Sequence, residues 1–195
     1  HILHIGLTDE ERRWLAGRIR SFHAASEVVY HDVETVDMSD FPVYASSRMT
    51  YVRLILPRLL LGCEYVLYID VDILWQDDVV SLWNLRRSVE LFGCVREPSA
   101  GTVAMERKWF LGNGLPFDEA RYFCAGISLY NLTEIRRRDA FAAVLEFGRT
   151  HKGFNCADQS MMYGALGREV TLLPDKWQTF PRNGVKAKRG GPMVL

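Results

Sequence analysis

The chain has 195 residues, 48% hydrophobic and 25% charged, with Lys+Arg and Asp+Glu both at 24 and no formal net charge. That size and balance suit one compact domain, which buries roughly 70% of its unfolded surface and needs no metal or disulfide staple. They exclude a global electrostatic attraction to nucleic acid, so an anionic ligand has to be held by local features.

Cys63, Cys94, Cys124 and Cys156 are spread along the chain without a close pair. A zinc cluster needs short paired spacings, which are absent. Reduced, mostly buried thiols are expected, and with them a cytoplasmic setting. There is no secretory signal and no apolar run of membrane-spanning length. The opening residues, His1-Ile2-Leu3-His4-Ile5, carry no Met and read as the interior of a strand.

In chain order, Ile2 to Ile5 is predicted as a short strand. Thr8 and Glu11 form a capping-box pattern ahead of a helix with Leu15, Ile19 and Phe22 on one face. Val28 to Tyr30 is the next strand candidate, and His31 to Phe41 is polar and irregular. Thr50 opens a helix with Tyr51, Leu54 and Ile55 as its apolar face. Pro57 cannot continue it and suits the start of a second short helix through Leu61. Tyr65 to Ile69 is a near-continuous apolar run, suited to a strand covered on both faces in a parallel sheet. Leu91 to Val95, Gly126 to Tyr130 and Val170 to Leu173 are further strands. Thr133 to Arg149 and Asp158 to Leu166 are helices. The alternation predicts an α/β layered domain. Asn183 to Pro192, rich in Gly and Lys, reads as a mobile loop or lid, and its Lys186, Lys188 and Arg189 suit contact with phosphate or an anionic membrane surface. Trp14, Trp75, Trp83, Trp109 and Trp177 are expected in the core or in site walls.

The strongest chemical signal is Asp70-Val71-Asp72, directly after the apolar run. Ligands of open α/β sheets bind beyond the carboxyl ends of strands. Two carboxylates one residue apart can share a hard cation if the chain leaves strand geometry there, and a dication turns their repulsion of a diphosphate into attraction. Arg53, off the apolar face of its helix, suits a phosphate or ribose. Asp158-Gln159 opens a helix, where a plain N-cap is the favoured local reading of Asp158. Glu97 follows a strand and can accept from sugar hydroxyls. None of His1, His4, His23, His31 and His151 has metal-ligand spacing with another ligand.

Together these residues resemble glycosyltransferase family 8. The likeness lies in Thr50 to Leu54 (TYVRL), Tyr65 to Asp72 (YVLYIDVD), Tyr122 to Ile127 (YFCAGI), Leu129 to Leu132 (LYNL), Asp158-Gln159-Ser160, and Leu173-Pro174 with Trp177. It covers nearly the whole chain, in order. The resemblance implies a Rossmann-like glycosyltransferase A fold, with a mixed, mostly parallel central sheet flanked by helices. It implies a single catalytic domain over 1–195, a nucleotide-sugar donor with UDP-glucose or UDP-galactose foremost, Mn²⁺ (or Mg²⁺), and retention at the anomeric carbon. Asp70 and Asp72 would be metal ligands. Arg53, Asp70, Val71, Asp72, Glu97, Cys124, Ala125 and Gly126 would contact the donor. Asp158 and Gln159 would stand at the reacting carbon.

The acceptor would be a glycan, glycolipid or protein, lipopolysaccharide synthesis being the foremost setting, with peripheral contact at the inner membrane face. Cys124 stands where the family has Asn, and Ser160 replaces the second Asp of a DQD segment. By the resemblance, the chain would start after the family's first strand and stop short of an HxxGxxKPW motif, whose His would be the third protein ligand to the metal. Two other readings stay open: a nucleotide-sugar-binding module without turnover, and a nucleotidyltransferase, which would need a third carboxylate.

Overall fold

The computed structural model describes residues 1–39, 41, 48–178 and 193–194. The chain divides into two compact units, His1–Val52 and Arg53–Leu195.

In the first unit, β1 (Ile2–His4) pairs in parallel with β2 (Tyr30–Asp32). Helix α1 (Asp9–Phe22) begins at the expected capping box: the Glu11 N–H donates to Thr8 Oγ1 at 3.3 Å, and the Thr8 N–H donates to Glu11 Oε2 at 2.8 Å. Its expected apolar face is not a core face. Leu15 and Ile19 are half-buried, Phe22 is exposed, and Trp14, expected inside, is 64% exposed.

The Thr50 segment is a 3₁₀ helix, Arg48–Ile55, with Tyr51, Leu54 and Ile55 buried. Helix α2 (Leu56–Leu59) follows with Pro57 in its first turn, where the missing N–H has no helical partner to lose.

The second unit contains a four-stranded sheet in the order β3 (Tyr65–Ile69), β6 (Phe123–Asn131), β5 (Phe92–Arg96), β7 (Val170–Leu173). It is mixed and flanked by helices, as expected. Parallel pairing in it is confined to β5–β7, because β6 runs antiparallel to both neighbours. Strand β3 is therefore half-buried and antiparallel to β6, where its apolar run had suggested a parallel strand covered on both faces. A short β4 (Ile73–Leu74) pairs with β8 (Met193–Val194).

One face of the sheet packs Ile127, Leu129, Val95 and Leu173 against Leu82 of α3 (Val79–Trp83), Val89 and Trp177. Each fully buried aliphatic side chain there contributes about 2 kcal/mol. Over the other face, Tyr130 meets Phe141 edge-on, and its hydroxyl lies 3.9 Å from Met162 Sδ. Three helices are involved here: α5 (Leu132–Arg138), α6 (Ala140–Thr150) and α7 (Ala157–Leu166).

The single helix expected over Thr133–Arg149 is two, broken at Asp139, whose φ of 48° lies in the left-handed region that Asp tolerates better than most residues. Helix α4 (Ala100–Gly112) was not foreseen. Its buried stripe is Val103, Glu106 and Phe110, and a carboxylate in that stripe hides the helical period.

Among the described residues no helix is long and apolar enough to cross a membrane. The Asn183–Pro192 segment, with Lys186, Lys188 and Arg189, lies outside the described residues.

Candidate functional site

Strand β3 delivers Asp70 to the sheet's edge and then turns. The Asp70 N–H still donates to Gly126 O at 2.9 Å, and the Ile73 N–H closes a turn back to Asp70 O at 3.3 Å. The chain thus leaves strand geometry at Asp70-Val71-Asp72, the condition set for two such carboxylates to share a cation. The Val71 and Asp72 side chains are exposed, and Asp70 keeps about a third of its side-chain surface, 33%.

The opposite wall is an irregularity in β6. Pairing with β5 jumps from Cys94↔Ser128 to Val95↔Cys124, so Ala125, Gly126 and Ile127 bulge out of the ladder. The bulge frees backbone groups for side chains. Ala125 O accepts from Ser128 Oγ and from Arg53 Nη1, and the Ala125 N–H donates to Gln159 Oε1 at 3.0 Å. Space at Gly126 is tight: a Cβ there would come 3.1 Å from Asp70 Oδ2, which would have to shift by a few tenths of an ångström.

Arg53 ties the parts together. It is 7% exposed. Nη2 donates to Asp70 Oδ1 at 3.1 Å, Nε stands 2.7 Å from Asp158 Oδ2, and the guanidinium lies 4.6 Å from the centre of the Tyr68 ring. Burial works against its charge, but Asp158, Tyr68 and Asp70 outweigh burial and hold the cation protonated.

Asp158 lies in the first turn of α7, which starts one residue earlier than expected, at Ala157; the N-cap is Cys156, and Asp158, 5% exposed, is not a solvated cap. Burial pushes its carboxyl up to about 6; Arg53 pulls the other way, and Asp70 adds to the rise. Ahead of it, Ala157 has a φ of 38°, a strained conformation for a residue with a Cβ.

Gln159 Nε2 donates to Tyr122 Oη at 3.0 Å and to Glu97 Oε2 at 3.3 Å. Glu97 also accepts from the Ser99 N–H at 2.9 Å, and burial, the leading influence, holds its pKa above the usual carboxylate range. Burial likewise pushes the Cys124 thiol up to about 12, so it is neutral, and it accepts from Gln178 Nε2 at 2.8 Å.

The structure therefore brings Arg53, Asp70, Glu97, Cys124, Ala125, Gly126, Asp158 and Gln159 into one linked network, with Val71 and Asp72 on the adjoining exposed turn. Sequence reasoning missed Gln178. It is 2% exposed, its Oε1 has no partner among the described residues, and it lines a cavity of about 650 Å³ with Glu97, Pro98 and Val103. Its place directly after Trp177, in a segment already singled out, was the signal available.

A hard cation fits the Asp70-Val71-Asp72 turn. Its donors are oxygens, both carboxylates keep exposed surface, and Gly126 leaves beside Asp70 a space that a Cβ would fill. The described residues hold no group of three acidic, His or Cys ligands, so water or a ligand's oxygens would complete the shell.

The comparisons with known proteins agree with this architecture. A curated "putative glycosyltransferase" of Haemophilus influenzae is 23% identical over 185 residues, 92% of this chain and 54% of the relative, so the chain spans about half of that protein's length. The bifunctional glycosyltransferase WbbM superposes with a TM-score of 0.75 at 20% identity, covering 90% of this chain and 33% of that one. The galactosyltransferase LgtC, solved with donor and acceptor sugar analogues, gives a TM-score of 0.71 at 24% identity, covering 93% of this chain and 64% of its own. The fold is the glycosyltransferase A fold of these structures. The model of glycosyl transferase family 8 matches residues 1–190, and the chain belongs to that family.

Proposed function

We propose that this chain is the donor-binding and catalytic part of a metal-dependent, retaining glycosyltransferase, moving a hexose from UDP-glucose or UDP-galactose to an acceptor hydroxyl. The observation that carries the reading is the Arg53 junction, which joins the Asp70-Val71-Asp72 turn to the buried Asp158 and to the Ala125 carbonyl. Asp70 and Asp72 would hold Mn²⁺ or Mg²⁺ on the donor diphosphate, and the ion would offset charge developing on the leaving group.

The other roles belong to side chains of this chain. Arg53 fixes the two carboxylates and, with its remaining N–H groups, faces the donor. Gln159, tied to the Ala125 backbone, to Tyr122 and to Glu97, orients the sugar, with Glu97 and the Cys124–Gly126 backbone as its wall. Asp158, ionised above about pH 6, places negative charge near an anomeric centre that becomes oxocarbenium-like. The anomeric carbon's bond to the phosphate oxygen breaks, its bond to the acceptor oxygen forms, and the acceptor's proton leaves on the diphosphate.

The free cysteines and the resemblance support a cytoplasmic setting, and the resemblance supports a glycan or glycolipid acceptor at the inner membrane face, as in lipopolysaccharide synthesis. The test uses the full-length protein with Mn²⁺ and a panel of nucleotide sugars. Release of nucleoside diphosphate from a UDP-hexose, lost in Asp70→Asn, is expected. Donor binding without turnover would mark a binding module instead, and no binding of any nucleotide sugar would end the proposal.

A further inference from the structure

Outside the donor network sits a buried carboxylate with no part in the chemistry above. Glu106, on α4, is fully buried at 0% exposure. Its Oε1 accepts from the Asn155 N–H at 3.0 Å, and its Oε2 accepts from the Ser160 hydroxyl at 2.7 Å. Ser160 Oγ accepts in turn from the Cys156 N–H at 3.0 Å.

One carboxylate thus holds both ends of the six-residue stretch 155–160 that carries Asp158 and Gln159. Ala157 lies inside that stretch with its φ of 38°, a backbone that relaxes unless its neighbours over-determine it. A buried carboxylate that accepts from fixed donors at two points of the chain is a device for such over-determination.

We propose that Glu106 is a positioning residue, acting through Ser160 and the Asn155 and Cys156 amides to hold Asp158 and Gln159 against Arg53 and Ala125. The inference rests on the transferase reading for its kinetic form only. Glu106 bonds the 155–160 stretch and not the Asp70-Val71-Asp72 turn, so its effect is expected on turnover more than on nucleotide affinity.

The test is Glu106→Gln in the full-length protein. An amide of the same shape still accepts at one atom but presents N–H at the other, leaving either the Ser160 hydroxyl or the Asn155 N–H without its acceptor. Support partners of this kind commonly change activity by tenfold or more when altered. The expected result is a kcat lowered on the order of tenfold, with donor KM and UDP affinity within about twofold. Moving the carboxylate in Glu106→Ser/Ser160→Asp should bring kcat back to within about threefold, a rescue that a packing defect would not show. A kcat unchanged in Glu106→Gln, or kcat and UDP affinity falling together, overturns the inference.

Hydrogen exchange separates this inference from the functional reading. If the wild-type protein releases no nucleoside diphosphate, the transferase reading falls, and exchange alone decides the role of Glu106. Glu106→Gln should then speed the Asn155 and Cys156 amides about tenfold while leaving the β5–β6 ladder unchanged. Unchanged exchange at those two amides overturns it.

Discussion

Replacing Arg53 by Met removes the cation but keeps much of the side chain's volume. Asp158, with a side chain 7% exposed, then loses its ion-pair partner, Ala125 O loses one of its two donors, and Tyr68 loses the guanidinium beside its ring. Breaking a buried pair from one side costs about 3–5 kcal/mol, because the orphaned charge has no water to return to. The Asp70 contact adds little, since that carboxylate is one-third exposed.

The loss must depend on pH. Asp158 already has a folded-state pKa raised from 3.8 to about 6, so the folded chain holds more protons than the unfolded one between those values. Stability from this group is complete below pH 3.8 and declines as pH rises to about 6, by about 3 kcal/mol in all. Without Arg53 the carboxyl moves higher still, and protonation rescues it at low pH. Urea unfolding at pH 8 should therefore show Arg53→Met destabilised by about 4 kcal/mol, and at pH 5 by distinctly less. In the cycle with Asp158→Asn, a coupling of about 2 kcal/mol or more is expected at pH 8. A coupling under about 0.5 kcal/mol, or a loss equal at both pH values, would refute the idea that Arg53 is held by this buried charge.

Other consequences can be checked separately. Asp158→Asn alone should flatten the pH dependence of stability between about pH 4 and pH 6, as read from urea midpoints; a slope unchanged there would mean that another group sets it. Ala157→Gly should leave stability unchanged or raise it by up to about 1 kcal/mol, against the usual loss for that substitution in a helix; a loss of about 1 kcal/mol would show that the left-handed φ carries no strain. Gly126→Ala should weaken Mn²⁺-dependent UDP binding by roughly tenfold in calorimetry, because the new Cβ crowds Asp70 Oδ2, while Tm moves by less than about 3 °C; unchanged binding would place the diphosphate elsewhere.

What could be read from the sequence has a common property: it is local. The Thr8 capping box, Pro57 in a first turn, the Tyr65–Ile69 and Val170–Leu173 strands and the turn after Asp70 depend on residues within a few positions of one another. What escaped is what another element decides. The bulge at Ala125–Ile127 exists only relative to β5, and the antiparallel partner of β3 is about sixty residues away. The break at Asp139 looks like an ordinary helical residue until its φ is seen, and α4 is masked by Glu106 lying in its buried stripe.

The same division explains why single residues looked weak as site candidates. Taken one at a time, Asp70 is a carboxylate at a strand end, Arg53 a cation off a helix's apolar face, and Asp158 a residue suited to a helix cap. Arg53 sits 17 residues before Asp70, and their contact is among the described hydrogen bonds. What makes the three one device is that a single buried guanidinium reaches both carboxylates and the bulged carbonyl. Such an arrangement is costly to bury unless its charges are matched. One cation facing two carboxylates leaves an excess of negative charge at the exposed Asp70-Val71-Asp72 turn, and a divalent ion carrying a diphosphate is the kind of ligand that such a turn is suited to receive.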